Sequence, residues 1–370
     1  MSRMFFSPNA CILWVEEFFL SIEPAHPVLS IGDLFMTKKD IIKYRNCWMG
    51  FSILWVIFTH SHFGMPNAFL TFIKDIGFIS VDGFLFASGL GCYYSLKKND
   101  DLLSFLKRRF EKLAPAYYFV IIPFILYKWL VLHIPFQYVW GNLTFMQSLT
   151  TYGAPFSWYV SAIWVYYLLA PYMKQLIDRL SWKQNFGVIL LLILFSFAFW
   201  NTNTLIIIVA RIPVVYLGMM FGKLDDSYRF TGKQIALIEF LIIPGLILIV
   251  LFKMFFPHLL WTHGLYWYPS LLIVSAYCLN ISLVLHALRN LRLGEILNRI
   301  LNLLGSNTFE LFLVHIFIDD VLMEVFADHP NQRLVWIIGT LAIIPGVLLL
   351  KQAIRLFNQR RSSRHAATKS

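Results

Sequence analysis

Residues 45–64 read RNCWMGFSILWVIFTHSHFG. From Trp48 to Phe58 the run is apolar apart from Gly50 and Ser52, yet it opens on Arg45 and closes on His60 and His62. A bilayer core of about 30 Å takes roughly 20 apolar residues wound as a helix. Arg45 and His60 are separated by about 22 Å along a helix rising about 1.5 Å per residue. The run therefore reads as a membrane helix with an arginine near one face and a histidine in the opposite half. Ionisable groups are costly in lipid, so both are candidates for function.

The rest of the chain extends this reading. Of 370 residues, 58% are hydrophobic and only 14% charged, against about 25% charged in a soluble domain. Apolar runs cover 46–64, 76–95, 113–133, 156–173, 186–200, 204–222, 235–253, 268–288, 302–325 and 334–354. These imply an all-α polytopic membrane protein of about ten transmembrane helices, and they exclude an ordinary soluble domain. If the N-terminus is cytoplasmic, the cytoplasmic segments hold 26 of the 31 Lys and Arg. That asymmetry orients both termini inward, and the cytoplasmic (inner) membrane of the cell is the expected location. The net charge of +11 then belongs to topology, and no nucleic-acid partner is expected. The cysteines at 11, 47, 92 and 278 have no C-x-x-C spacing and read as buried thiols, with neither a disulfide frame nor a metal site.

Three regions follow: 1–35, a membrane domain over 36–357 and a basic tail over 358–370. Residues 1–35 are apolar but broken by Glu16, Glu17, Glu23 and prolines. One reading is an interfacial amphipathic segment. The other is translated upstream sequence before a natural start at Met36, where MTKKDIIKYR makes a basic lead into the first run. The second is favoured.

Ionisable residues inside the runs include His60, Asp82, Lys128, Arg211, Glu310, His315, Asp319 and Asp320. Lys128 can snorkel toward the outer side. Arg211 precedes Pro213 and reads equally as the cap of a kinked helix or as part of a site. Glu310 and His315 are about 140° apart around a helix and do not share a face. A histidine changes charge near neutral pH, which suits a base acting on a hydroxyl. A packing hydrogen-bonder is the alternative for His60.

Several stretches, in order, resemble the integral-membrane acyltransferase family 3, which contains the O-acetyltransferases of bacterial surface glycans. They are the Arg-to-His run RNCWMGFSILWVIFTH, SVDGFLFASG at 80–89, FLKRRFEKLAPAYY at 105–118 and LGSNTFELFLVHIF at 304–317. FSWYVSAIWVYYLLAP at 156–171 is similar to a further family motif. Two departures stand out. The family places its arginine where this chain has Met49, one turn from Arg45, and its glutamates where this chain has Ala162, Ile163 and Trp164. Lys112 also replaces the loop motif's second arginine, losing a bidentate fork for phosphate.

The resemblance implies an O-acyltransferase that moves an acyl group, usually acetyl, from cytoplasmic acyl-CoA to a hydroxyl of an exported or lipid-linked glycan. Arg45, Arg108, Arg109 and Lys112 would hold the donor phosphates. His60 would act as general base, oriented by Asp82, or as the carrier in an acyl-histidine relay. Glu310 and His315 would line the same cavity or hold helices together, and Trp158, Tyr159 and Trp164 would shape the acceptor site. No metal is implied. A non-enzymatic transporter or flippase of lipid-linked sugar is the rival reading, and it leaves the ordered motifs unexplained.

Overall fold

The structure, a computed structural model, describes residues 36–61, 64–150, 158–326 and 328–367. The upstream segment 1–35, Cys11 and His62 lie outside the described residues. The described chain is helical, with one isolated antiparallel bridge between Thr37 and Arg229. The helices that build the site are α1 (Arg45–Thr59), α2 (Phe78–Lys98), α3 (Leu102–Leu132), α4 (Trp158–Arg179), α5 (Ile212–Lys223), α6 (Trp267–Ala287), α7 (Arg292–Ser306), α8 (Thr308–Val325) and α9 (Gln332–Ala367).

Each of the ten apolar runs falls largely on helix, but fewer helices are long and apolar enough to cross a membrane by themselves. Among the described residues there are 6, or up to 7 if α7 and the first part of α8, bent by 72° at Asn307, count as one span. The shortfall has a local cause. α1 has only 15 residues, and α2 carries buried Ser80, Asp82, Gly83 and Gly89. Such residues lower hydropathy, and they are tolerated because neighbouring helices, not lipid, surround them.

Small residues set how closely those neighbours approach. A Cβ on Gly89 of α2 would lie 2.2 Å from the Val215 carbonyl oxygen, and one on Gly218 of α5 would lie 2.2 Å from that of Phe86. The pair α1 and α7 is locked in the same reciprocal way. A Cβ on Gly50 would meet the Leu301 oxygen at 2.0 Å, and one on Gly305 the Asn46 oxygen at 1.8 Å. Helices in lipid gain from such backbone contact because packing replaces the hydrophobic drive available in water. The first crossing brings Asp82 to Arg211. The second sets the start of α8 beside Arg45.

Polar side chains then tie the bundle. Trp48 Nε1 donates to Ser282 Oγ at 2.8 Å, and Ser52 shares a 2.6 Å bond with Tyr277. Lys128 of α3 pairs with Asp320 at 2.8 Å and Glu324 at 2.9 Å of α8. The snorkelling lysine is thus an inter-helix tie. Cys47, Cys92 and Cys278 are free and buried, as the spacing implied.

Ahead of α1, buried Lys38 donates to the carbonyls of Gly222 (3.0 Å) and Leu224 and pairs with Asp226 at 3.1 Å. The lead into the first run is thereby fastened to the end of α5.

Candidate active site

The two ends of α1 open onto two different chambers. Arg45 is its first residue, and Nε and Nη2 donate to the Ala87 carbonyl of α2 at 3.2 and 2.9 Å. His60 caps the other end. Its Nδ1 lies 2.9 Å from the Val56 carbonyl. A carbonyl only accepts, so Nδ1 carries the proton and Nε2 is the basic nitrogen of the neutral ring.

The chamber at the Arg45 end has a volume of about 160 Å³ and is lined by Arg45, Met49, Arg109, Lys112, Tyr167 and Glu310, among others. Arg109 Nη2 donates to the Gly91 carbonyl at 3.0 Å. Its guanidinium lies over the rings of Phe105 (5.0 Å) and Tyr167 (5.2 Å). Its Nε is buried without a hydrogen-bond partner among the described residues. Arg108 points elsewhere. It is exposed, 3.5 Å from the Asn99 carbonyl, and does not line this chamber. Adjacent helical residues diverge by about 100°, so only one of the two arginines can face inward. Met49, where the family has its arginine, lines the chamber one turn beyond Arg45. Both therefore look into the same space. Ile163, at one of the positions of the missing glutamates, forms apolar wall here, and Glu310 is the chamber's carboxylate.

The chamber at the His60 end is larger, about 450 Å³, and is lined by His60, Trp158, Arg211, Trp267, Asp319 and Asp320 with apolar neighbours. His315 lies behind His60, ring centroids 5.3 Å apart. Its Nδ1 reaches the Leu311 carbonyl at 3.2 Å, and its Nε2 is buried without a hydrogen-bond partner among the described residues. Glu310 lines the smaller chamber, whereas His315 borders only a cleft that it shares with His60, so the two do not line one cavity as the resemblance implied. Their angular separation around the helix is the reason.

Asp82 was expected beside His60. Instead its carboxylate takes Arg211 Nε on one oxygen, at 3.0 Å, and the Ser270 hydroxyl on the other. Both Asp82 and Arg211 are buried, and Asp82 anchors the arginine rather than the histidine. Trp164 lines neither chamber. It packs on Phe145 (5.2 Å), Tyr167 (5.9 Å) and Phe110 (6.0 Å), because five residues from Tyr159 it faces another way.

Phe84, Tyr159 and Phe312 line both chambers and form the partition between them. Tyr159 meets Phe84 at 6.3 Å and Phe312 at 4.9 Å, and Phe312 meets His315 at 5.5 Å. The partition came as no expectation of the sequence, since its members sit on three helices far apart in the chain. Asp319 was visible as a charge in an apolar run. That it shares a chamber with His60 was not.

A family model described as an acyltransferase domain matches residues 45–352, from the arginine that opens α1 into the middle of α9. No curated protein and no solved structure matches the chain.

Proposed function

The chain belongs to this acyltransferase family and is a membrane protein, and on that premise we propose that it transfers an acyl group, acetyl in the first instance, from acyl-CoA to a hydroxyl of an exported or lipid-linked glycan. The donor is a substrate, and no metal takes part. One observation carries the reading: a cationic chamber and a histidine chamber open on opposite ends of one helix, divided by three aromatic side chains.

Coenzyme A brings several phosphate charges. Arg45, Arg109 and Lys112 converge on the smaller chamber, which suits charge-assisted bonds to phosphate. In the orientation with both termini cytoplasmic, that chamber faces the cytoplasm, where acyl-CoA is made. The pantetheine arm then extends along α1 toward His60, displacing Phe84, Tyr159 and Phe312. Arg45 and His60 are about 22 Å apart along the helix, a span that the arm and its thioester approach.

The acceptor enters the larger chamber from the opposite side. His60 Nε2 takes the proton of the acceptor hydroxyl while its oxygen attacks the thioester carbon. The tetrahedral adduct collapses with loss of the thiolate, which takes the proton from the imidazolium. His315, 5.3 Å away ring to ring, holds the His60 ring in place. The test is incubation of purified protein with radiolabelled acetyl-CoA. Release of free thiol is expected, with label passing to a hydroxyl acceptor. Absence of both binding and cleavage of acetyl-CoA would remove the reading.

A further inference from the structure

Arg211 is unusual among the charged residues of the histidine chamber. It is 2% exposed, yet it lines the cavity. Only its Nε is bonded, to Asp82, and among the described residues no protein acceptor takes Nη1 or Nη2. Asp82 is held in turn by Ser270. The guanidinium carbon lies 4.8 Å from the Trp158 ring centroid and 4.6 Å from that of Trp267. Carboxylate and indoles together fix the plane of a cation whose remaining N–H groups are left for whatever occupies the cavity. The cap of α5 alone does not require this, because the Arg211 backbone already serves as the N-cap.

Charge in the chamber is divided between two poles. Arg211 is one. The other is made by Asp319 and Asp320 of α8, of which Asp320 is paired with Lys128. A chamber with that carboxylate pole is a poor home for a permanently anionic acceptor group. It suits neutral reactants that separate charge as they react. When a hydroxyl attacks a thioester, the imidazolium gains positive charge and the carbonyl oxygen gains negative charge. His60 and Asp319 share this chamber and also line the cleft behind it.

The geometry points to Arg211 as the oxyanion donor of the reaction, its Nη groups taking the thioester oxygen as the C–O bond forms and the carbonyl π pair moves onto that oxygen. The inference rests on the acyl-CoA reading given above. It assigns Asp82, Ser270, Trp158 and Trp267 the task of holding that donor before substrate arrives. A donor fixed in advance needs no reorganisation at the moment of reaction, which is where such groups gain their effect.

The test uses the full-length purified protein, acetyl-CoA as donor, and two acceptors, water and methyl glucoside. Arg211→Lys keeps a cation beside Asp82 and loses the planar fork. It should lower kcat by about 100-fold or more for both acceptors, with the KM for acetyl-CoA little changed. A loss confined to the sugar reaction would make Arg211 an acceptor-recognition residue and overturn the inference, as would an unchanged kcat. If the lysine variant does not fold, the infrared carbonyl stretch of isotope-labelled acetyl-CoA bound to His60→Ala decides. It should lie below that of acetyl-CoA in water, and an unshifted band counts against the donor role. A wild-type protein that never binds acetyl-CoA would sink the acyl-CoA reading itself. An active wild type with an equally active lysine variant sinks only the role of Arg211.

Discussion

The rings of His60 and His315 lie 5.3 Å apart, and each imidazole directs Nδ1 to the carbonyl one turn earlier on its own helix, Val56 and Leu311. In both rings this leaves Nε2 as the basic nitrogen. His315 Nε2 is buried without a hydrogen-bond partner among the described residues, and of the two rings only His60 lines the larger chamber. The two are therefore not equivalent. His315→Gln, which keeps polarity and much of the volume, should lower kcat by about 10-fold, less than loss of the base itself. Steady-state turnover of acetyl-CoA checks this. A loss equal to that in His60→Ala would give the two histidines equal shares in the proton transfer.

The arginine pair in the loop motif separates donor binding from general basicity. Arg109 faces the smaller chamber and Arg108 does not. Arg109→Ala should raise the KM for acetyl-CoA by roughly 10- to 100-fold, the equivalent of about 1.5–3 kcal/mol for a charge-assisted contact. Lys112→Ala should do less, and Arg108→Ala should stay near wild type. Initial rates over a range of donor concentrations give the answer. Equal effects of Arg108→Ala and Arg109→Ala would remove the chamber as the donor site.

The partition offers a different readout. Phe312 separates the chambers and touches both Tyr159 and His315. Phe312→Ala should join the two spaces and admit water to the thioester. The ratio of acetyl-CoA hydrolysis to transfer should then rise. Stability should also fall, by about 3–5 kcal/mol if the site does not collapse. Tyr159→Phe, which keeps the ring, should change neither the ratio nor the stability by much. Thiol release measured with and without acceptor distinguishes the variants.

Glycine contacts set the approach of the helices that carry Arg45, Asp82 and Arg211, so packing variants should act at a distance. A Cβ on Gly218 would meet the Phe86 oxygen at 2.2 Å, which is backbone and cannot step aside. Gly218→Ala should push α5 from α2 and cost roughly 1–3 kcal/mol. Gly187→Ala meets nothing within 4 Å and serves as the control. Thermal unfolding in detergent should show a lower Tm for the first and little change for the second.

The helices were legible because apolar length is a strong signal, and the Arg-to-His run showed one end of each chamber. Arg45, Arg109, Lys112 and His60 could be found because charge in or beside an apolar run is conspicuous. The partition was not legible. Phe84, Tyr159 and Phe312 are ordinary aromatics in a chain with 35 Phe and 17 Tyr, and only the folded arrangement singles them out. The partner of Asp82 was missed for a related reason. Spacing along one helix says nothing about a residue on another, and Gly89 and Gly218 bring Arg211 close enough to claim that carboxylate. Trp164 was assigned by its neighbours in sequence, while its angle around α4 turns it into a different aromatic cluster.

The central claim is that the two ends of α1 do different work, and one comparison tests it most directly. Affinity for acetyl-CoA and rate of acetyl transfer are measured on the same preparations of wild type, Arg45→Ala and His60→Ala, each checked for normal membrane insertion. Arg45→Ala should bind acetyl-CoA more weakly but retain turnover at saturating donor. His60→Ala should bind acetyl-CoA as wild type does and transfer about 10²–10⁴-fold more slowly. Full transfer by His60→Ala, or equal loss of donor affinity in both variants, would contradict the account.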